Sequence, residues 1–306
     1  MSLSTNDGHV SGGRPRAPVL FSLDLEDHLE QYPADGGRYQ DITMRLLDVL
    51  EERGVRGTVF TVGRVAETAP WLIQEVTRRG HEVACHSHKH VPLTRETAES
   101  FREGTARARE ALQQAAGQPV VGYRAPVFSL TPAAPWAVPV LEELGFAYSS
   151  SIMPVHHPLH GFPGAPRRPF RWHGRLVEFP CPVVRLGPLT LPFLGGIYLR
   201  YLPLALVRRW LAHVPTPAWT YLHPYDFDGA EGYRRFPDRS MLLSLLLSAR
   251  RGGTLDKLAA LLPPRNGDTA AGRPARPEQW ETFAEWAADA GFVQGLPAFA
   301  PPAATA

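Results

Sequence analysis

The 306-residue sequence has little cysteine and no long apolar run. Its two cysteines, Cys85 and Cys181, cannot build a disulfide framework and are expected to be reduced thiols. The longest apolar run, Met241–Leu247, is far shorter than the roughly 20 residues that a membrane-spanning helix needs. The first residues show no apolar signal-peptide core. We therefore expect a cytoplasmic protein without a membrane span.

Lysine is also scarce, since Lys89 and Lys257 are the only two, and the formal net charge is +2. The arginines are scattered along the chain rather than grouped in one stripe, which argues against a nucleic-acid partner. A hydrophobic content of 44% is enough for the core of one large domain with a small appendage. Nothing in the composition indicates an oligomeric state.

From Pro18 onward, short apolar runs alternate with segments of helical periodicity. This alternation predicts an α/β fold with a parallel sheet, either open or closed into a barrel. We expect a disordered tail over residues 1–16 and the main domain over 17–262, with an irregular insert rich in Pro, Gly and His around 153–196. Residues 263–306 are predicted to form a linker, a small helix and a disordered tail.

Four predicted strands end in polar residues, and in parallel α/β folds such ends carry the functional groups. The residues at these ends are Asp24, Glu26 and Asp27, then His86, His88 and His90, then Arg124, and finally His223. An HxxxH pair alone is common on ordinary loops. Together with carboxylates, the pair is a suitable ligand set for Zn²⁺ or another divalent transition metal.

Several stretches resemble the motifs of one family: "FSLDLEDH", "GHEVACHSHKH", "GYRAPVFS", "GGIYLRYLP" and "WTYLHPYDFD". They are similar to those of the polysaccharide deacetylase (NodB-homology) family of carbohydrate esterases. The closest branch is the exopolysaccharide-associated one with a "DxED" first motif. The resemblance implies a distorted (β/α) barrel, often of seven strands, with one divalent metal, commonly zinc. It also implies an N-acetylated carbohydrate as substrate and hydrolysis of its N-acetyl group.

The resemblance further implies a role for each matching residue. His86 and His90 match the metal-binding histidines, Asp24 the catalytic base, Arg124 the arginine that orients the base, and His223 the general acid. The carboxylate ligand stays open between two residues. Glu26 points to the same strand face as Asp24, whereas Asp27 is the alternative if the strand ends early.

Amide hydrolysis would need these groups on chemical grounds as well. A metal polarises the carbonyl and lowers the pKa of bound water, while a carboxylate and an imidazole move the protons. The backbone N–H of Val127 is a candidate to bind the oxyanion, because the preceding Pro126 has none. Trp219 and Tyr221 flank the His223 strand and are the best candidates to line a sugar site.

The chain departs from the family pattern at Ser149, where the branch commonly has an aspartate. Asp226 or Asp228 could take the place of that carboxylate, or nothing could. Two rival functions follow, an allantoinase-like amide hydrolase of the same superfamily and a degenerate barrel that binds glycan without turnover. Among the neighbouring residues, Cys85 is expected to be a buried core thiol and His88 to face solvent or substrate.

Overall fold

The computed structural model describes residues 19–156, 160–187, 189–215, 217–236, 240–262 and 281–300. The predicted N-terminal tail and most of the predicted linker lie outside these ranges. The strands are β1 (Phe21–Leu25), β2 (Gly57–Thr61), β3 (Glu82–Cys85), β4 (Gly122–Tyr123), β5 (Tyr148–Ser149), β6 (Phe170–Trp172), β7 (Val177–Glu178), β8 (Val183–Leu186), β9 (Leu189–Pro192) and β10 (Ala298–Phe299).

Helices follow most of the strands, as the alternating pattern predicts. They are α1 (Arg38–Glu52), α2 (Gly63–Thr68), α3 (Pro70–Arg78), α4 (Ala98–Ala116), α5 (Ala137–Glu143), α6 (Gly196–Tyr201), α7 (Leu204–Leu211), α8 (Met241–Ser248), α9 (Thr254–Leu261), α10 (Phe283–Ala288) and α11 (Ala290–Gln294). No helix among these residues is long and apolar enough to cross a membrane.

The main sheet has eight strands in the order β1-β2-β3-β4-β5-β7-β6-β10. Every pairing from β1 to β7 is parallel, and β6 is the one antiparallel neighbour of β7. On the free side of β1, residues 218–222 lie parallel to it through the bridges Leu20–Trp219 and Leu23–Leu222. The predicted α/β class with a parallel sheet is confirmed. β8 and β9 form a separate hairpin.

Helix α4 shows how the sequence specifies an element that covers the sheet. The side chain of Thr97 caps its first turn by accepting from the backbone N–H of Ser100 at 3.2 Å. Gly117 ends the helix in the left-handed conformation, with φ at 67°. Between these signals, Phe101, Ala108 and Leu112 are buried on one face. Their helical spacing is the pattern from which the helix is predicted.

The C-terminal region differs from its prediction as a loose appendage. Phe283 at the start of α10 is fully buried, and its ring packs 5.5 Å from that of Phe60 and 5.7 Å from that of Tyr148. Its backbone N–H donates to Oγ1 of Thr58, at the beginning of β2. Residues 281–300 therefore close the end of the barrel at which the strands begin. The tail was predicted to be disordered, yet Ala298–Phe299 pairs with β6.

Candidate active site

The parallel register brings the predicted polar residues to one end of the barrel. Asp24 lies near the end of β1 with Glu26 just beyond it, and His86 and Arg124 directly follow β3 and β4. His223 follows the 218–222 segment, which is hydrogen-bonded along β1, with Asp24 N donating to Leu222 O at 2.7 Å. Residues up to 199 positions apart in the sequence thus share one site because the strands run in the same direction.

Glu26, His86 and His90 form a group whose ligand atoms all lie within 4.8 Å of one another. Nδ1 of His86 lies 2.8 Å from the carbonyl oxygen of Arg124. That contact requires a proton on Nδ1 and leaves the lone pair of Nε2 for the site. His90 reaches the same point through a left-handed backbone with φ at 57°, and its N–H donates to Oγ of Ser87.

The donor atoms of this group fit a divalent cation. Oε2 of Glu26 is buried without a hydrogen bond of normal geometry. It lies 3.5 Å from Nε2 of His86 and in direct contact with Nε2 of His90. One carboxylate and two imidazoles are the kind of ligands that zinc takes in sites with three protein ligands. The group contains Glu26 and not Asp27, whose carboxylate instead accepts from the backbone N–H of Gln31.

The pKa of Glu26 reflects these neighbours. Burial alone would raise it, but His90, His86 and His223 together hold the pKa well below its usual range. The carboxyl group is therefore an anion at neutral pH despite its burial. An ionised oxygen is what a metal ligand requires.

Asp24 is fixed by a fully buried arginine. Nη1 of Arg124 donates to Oδ1 of Asp24 at 2.5 Å and to Oγ of Ser22 at 3.0 Å. The guanidinium carbon lies 3.8 Å from the ring centre of Phe60 and 4.4 Å from that of Trp219. These contacts hold the arginine between two aromatic rings, so that its position determines that of Asp24.

His223 lies close to the carboxylates of both Asp24 and Glu26. Its Nε2 lies 3.8 Å from Oδ2 of Asp24 and 3.8 Å from Oε1 of Glu26. Its Nδ1 lies 2.9 Å from Oδ2 of Asp226. Burial disfavours the charged imidazole, but the hydrogen bond and charge of Asp226, with the charges of Glu26 and Asp24, raise the pKa of His223 to about 9. The imidazole therefore carries a proton at neutral pH.

Asp226 is one of the two residues that the sequence offers in place of the missing carboxylate, and it is the one that contacts His223. Asp226 is itself buried and pairs with Nη2 of Arg200 at 3.4 Å. A Cβ atom on Gly196 would lie 1.9 Å from the Asp226 carboxyl carbon, so only glycine fits there. The stretch "GGIYLRYLP" thus supplies both the glycine and the arginine that hold Asp226. Tyr225 stacks on His223 with ring centres 4.7 Å apart.

A buried glutamate lies beside Ser149, where the family pattern has an aspartate. Ser149 pairs in register with Glu178 of β7. Oε1 of Glu178 accepts from the backbone N–H of Ser151 at 2.6 Å, and Oε2 accepts from the indole of Trp172. Burial raises the pKa of Glu178. Glu178 thus brings a carboxyl group beside Ser149, whereas Asp228 pairs with Arg38 in the lining of the cavity described below.

Two predicted sugar-contacting residues lie inside the barrel instead. Trp219 is only 1% exposed and packs beneath Arg124, and Tyr221 is also buried, with its ring against Phe128. Their predicted place at the surface of the sugar site is therefore wrong. Val127, by contrast, is 45% exposed in the loop after Arg124, with φ at 50°. A β-branched residue rarely adopts this conformation, and such strain is typical of functional loops.

His88 and Cys85 lie close to the metal-binding group without joining it. His88 was predicted to face solvent or substrate, but it is buried and its Nε2 lies 3.0 Å from Oε1 of Glu67. Cys85 is fully buried, and burial raises the pKa of its thiol to about 12. An inert thiol agrees with the predicted core position.

A cavity of about 440 Å³ opens beside Glu26. Polar groups from three segments line it, including His28, Arg38, Tyr225 and Glu231. Oη of Tyr225 donates to Oε1 of Glu26 at 3.2 Å. The volume and the polar lining suit a small polar ligand held next to the metal-binding group.

Two family models match adjacent parts of the chain. Residues 34–149 match polysaccharide deacetylase, and residues 150–270 match a domain of unknown function, DUF3473. His86, His90 and Arg124 fall in the first match, and His223 and Asp226 in the second. The site is therefore assembled from both regions and from the strand that precedes them.

Curated relatives match limited stretches. The chain is 29% identical over 128 residues to a bifunctional xylanase/deacetylase from Pseudobutyrivibrio xylanivorans, covering 42% of the chain and 20% of that protein. It is 31% identical over 84 residues to a Bacillus subtilis peptidoglycan-N-acetylmuramic acid deacetylase, covering 28% and 32%. It is 40% identical over 60 residues to a Sinorhizobium fredii chitooligosaccharide deacetylase, covering 20% and 28%. The matches span 20% to 41% of these curated relatives.

Solved structures match over most of the chain. A Mycobacterium smegmatis protein assigned to the polysaccharide deacetylases has a TM-score of 0.54 at 23% identity, covering 87% of this chain and 97% of that one. An allantoinase has a TM-score of 0.51 at 14% identity, covering 81% and 86%. These likenesses concern the fold. The likeness to polysaccharide deacetylases thus rests on the family model over residues 34–149 and on these partial matches to curated deacetylases.

Proposed function

We propose that the protein is a metal-dependent hydrolase that removes N-acetyl groups from a glycan or an amino sugar. One observation carries the proposal. The group of Glu26, His86 and His90 lies beside a carboxylate held by Arg124 and an imidazole held by Asp226. We also place the chain in the exopolysaccharide-associated branch, on the strength of its "DLED" and "GGIYLRYLP" stretches.

Glu26, His86 and His90 would hold the metal, zinc or another divalent transition ion. Three protein ligands leave a coordination position open for a reactant. When bound, such an ion polarises a carbonyl oxygen and makes water a stronger acid. Asp27 is not needed as a ligand, because Glu26 already completes the set.

Asp24 serves as the general base in this proposal. Its Oδ2 is the oxygen that faces His223 across 3.8 Å, while Oδ1 is held by Arg124. The free oxygen can accept a proton from the attacking water. The buried guanidinium holds the carboxylate in position for this transfer.

His223 serves as the general acid. Its proton on Nε2 points into the space between Asp24 and Glu26, and Asp226 fixes the ring from the other side. Expulsion of an amine requires a proton on the departing nitrogen, and an imidazolium on that side can supply it. The exposed loop amide of Val127 is our candidate to bind the oxyanion.

The proposed substrate class rests on the relatives and on the cavity. Relatives named as peptidoglycan and chitooligosaccharide deacetylases match 28% and 20% of the chain. The cavity beside Glu26 has a polar lining that suits a sugar ring. Trp219 and Tyr221 are buried and therefore cannot stack on a sugar ring. In this proposal, polar residues of the cavity such as His28 and Arg38 bind the sugar instead.

The test is acetate release from a panel of N-acetylated oligosaccharides, with and without a chelator, and with allantoin as a separate substrate. We expect chelator-sensitive acetate release and no turnover of allantoin. Asp24→Asn and His223→Ala should each retain the metal and lose about 10²-fold or more in turnover. If allantoin were the only substrate turned over, the rival function of an amide hydrolase would replace the proposed one. Stoichiometric metal with no turnover of any substrate would support a degenerate barrel.

A further inference from the structure

Helix α8 has its polarity reversed relative to an ordinary surface helix. Its buried residues are Ser244 and Ser248. The outward face is apolar, with Met241 72%, Leu242 67%, Leu245 52% and Leu246 37% exposed. A helix on a globular protein normally buries such a stripe and exposes its serines. The four exposed residues are called the α8 face below.

Polar contacts hold the helix in this orientation. Oγ of Ser244 accepts from the backbone N–H of Phe236, and Oγ of Ser248 from that of Arg234, both at 3.1 Å. At its C-terminal end, Nη1 of Arg200 donates to the carbonyl oxygens of Leu247 and Ala249. Turning the apolar face inward would break all of these bonds. These hydrogen bonds therefore stabilise the helix with the α8 face exposed.

Basic residues flank helix α8 at both of its ends. From Glu231 to Arg251 the sequence holds five arginines and two acidic residues. Arg235 and Arg250 are exposed, and the side chain of Arg234 is 40% exposed. Glu231, the acidic residue of this stretch that the structure describes, is paired with Arg251. An apolar face with a basic border is complementary to an anionic lipid surface.

A second copy of the chain is a poorer occupant on the same grounds. In a symmetric dimer the same patch meets itself. The arginines around one α8 face would then oppose those around the other, and like charges at close range oppose association. Lipid headgroups of negative charge would neutralise them instead.

We propose that the α8 face docks the protein on an anionic membrane surface as a peripheral protein. Docking would place the active site beside the bilayer, since Arg200 contacts both the end of α8 and Asp226. Arg234 and Glu231, which precede α8, line the cavity next to Glu26. The inference goes beyond the proposed reaction and concerns where a membrane-borne glycan would meet the enzyme.

The experiment is sedimentation of the purified protein with vesicles of phosphatidylcholine alone or mixed with phosphatidylglycerol. We expect binding to the anionic vesicles only, weakening as salt is raised. The double variant Leu242→Gln/Leu245→Gln should lower the partition coefficient about tenfold or more, because it removes two leucines from the apolar contact. Leu186→Gln/Leu189→Gln, on the β8–β9 hairpin, removes two other exposed leucines and should leave binding intact.

Several results would overturn the proposal, and none of them depends on turnover. The parent protein could fail to sediment with anionic vesicles, or the hairpin variant could lose binding as much as the α8 variant. Loss of a dimer in the α8 variant, without vesicle binding by the parent, would identify a second copy as the occupant. A lower unfolding temperature of the α8 variant would show that the face packs against the chain itself.

Discussion

Each end of the barrel holds a glutamate, and the pKa values of the two carboxyl groups shift in opposite directions. Glu26 lies just beyond the end of β1, where nearby histidines hold its pKa well below the usual range against the effect of burial. Glu82 begins β3 at the other end, and burial raises its pKa. Glu26 is buried and Glu82 is partly buried, and burial acts to raise both pKa values, so burial does not explain the opposite shifts.

The partners account for the difference. Glu82 accepts hydrogen bonds from Oγ1 of Thr58 at 2.6 Å and from Oη of Tyr148 at 2.7 Å, which are neutral donors. Glu26 instead faces the imidazoles of His86, His90 and His223. Glu82 thus lies among neutral donors, whereas Glu26 lies among imidazoles whose positive charge favours its anionic form. The end of the barrel that holds Glu26 is therefore the candidate active site, and the end that holds Glu82 has a structural role.

The largest expected effect separates the two glutamates directly. Glu26→Gln should lose the bound metal and about 10³-fold in turnover, because the metal supplies several kcal/mol of transition-state stabilisation. Glu82→Gln changes a side chain at the opposite end of the barrel and should keep stoichiometric metal and near-parental turnover. Metal content by elemental analysis and acetate release measure both. The comparison fails if Glu26→Gln retains the metal, or if Glu82→Gln loses it equally.

The next effect concerns the closed end. Phe283 is fully buried between the rings of Phe60, Tyr148, Phe179 and Trp219. Phe283→Ala should lower the free energy of unfolding by about 3–5 kcal/mol, as expected for a large core aromatic. Phe292→Ala, a partly buried ring on α11, should cost less. Chemical denaturation measures both, and at low temperature the folded variant should retain its metal. Equal losses in the two variants would show that α10 does not seal the barrel.

Local patterns predicted most elements and pointed to the residues of the Glu26, His86 and His90 group. The spacing of His86 and His90 after β3 is local, and the buried face of α4 follows from its periodicity. The choice between Glu26 and Asp27 could not be made, because it depends on the turn after β1, where Glu26 N donates to Asp24 O.

Other features depend on contacts between distant parts of the chain. Alternation along a strand does not reveal which side of a closed barrel is inside, and the prediction for Trp219 was therefore wrong. The pairing of Ser149 with Glu178 joins two strands that no local pattern connects. The Pro-rich end of the chain was read as disordered from its composition, although Ala298–Phe299 finds a partner in β6.

A smaller effect is expected from the residue that positions the acid. Asp226→Asn should lower kcat about 10- to 100-fold, the usual range for a residue that orients a functional group from behind. The metal content and KM should stay near parental values, because Asp226 touches neither the metal-binding group nor the cavity. Asp228→Asn, which breaks the pair with Arg38 at the cavity, is the matched control and should act mainly on KM. A larger fall in kcat for Asp228→Asn would reverse these roles.

The smallest effect is a pH dependence of stability that belongs to the closed end. His81 lies next to Glu82, and its Nδ1 accepts from the backbone N–H of Gly57 at 3.1 Å. Burial, with the charges of Arg79 and Arg56, lowers the pKa of His81 to about 4. The unfolded chain binds a proton near pH 6.5 and the folded chain does not, so stability is complete above pH 6.5 and falls as the pH drops toward 4. The loss between pH 7 and pH 5 should be roughly 2 kcal/mol.

His81→Asn keeps an acceptor for Gly57 but cannot be protonated, and should remove this part of the pH dependence. Denaturant midpoints of parent and variant at both pH values test this, and parallel pH profiles would contradict it.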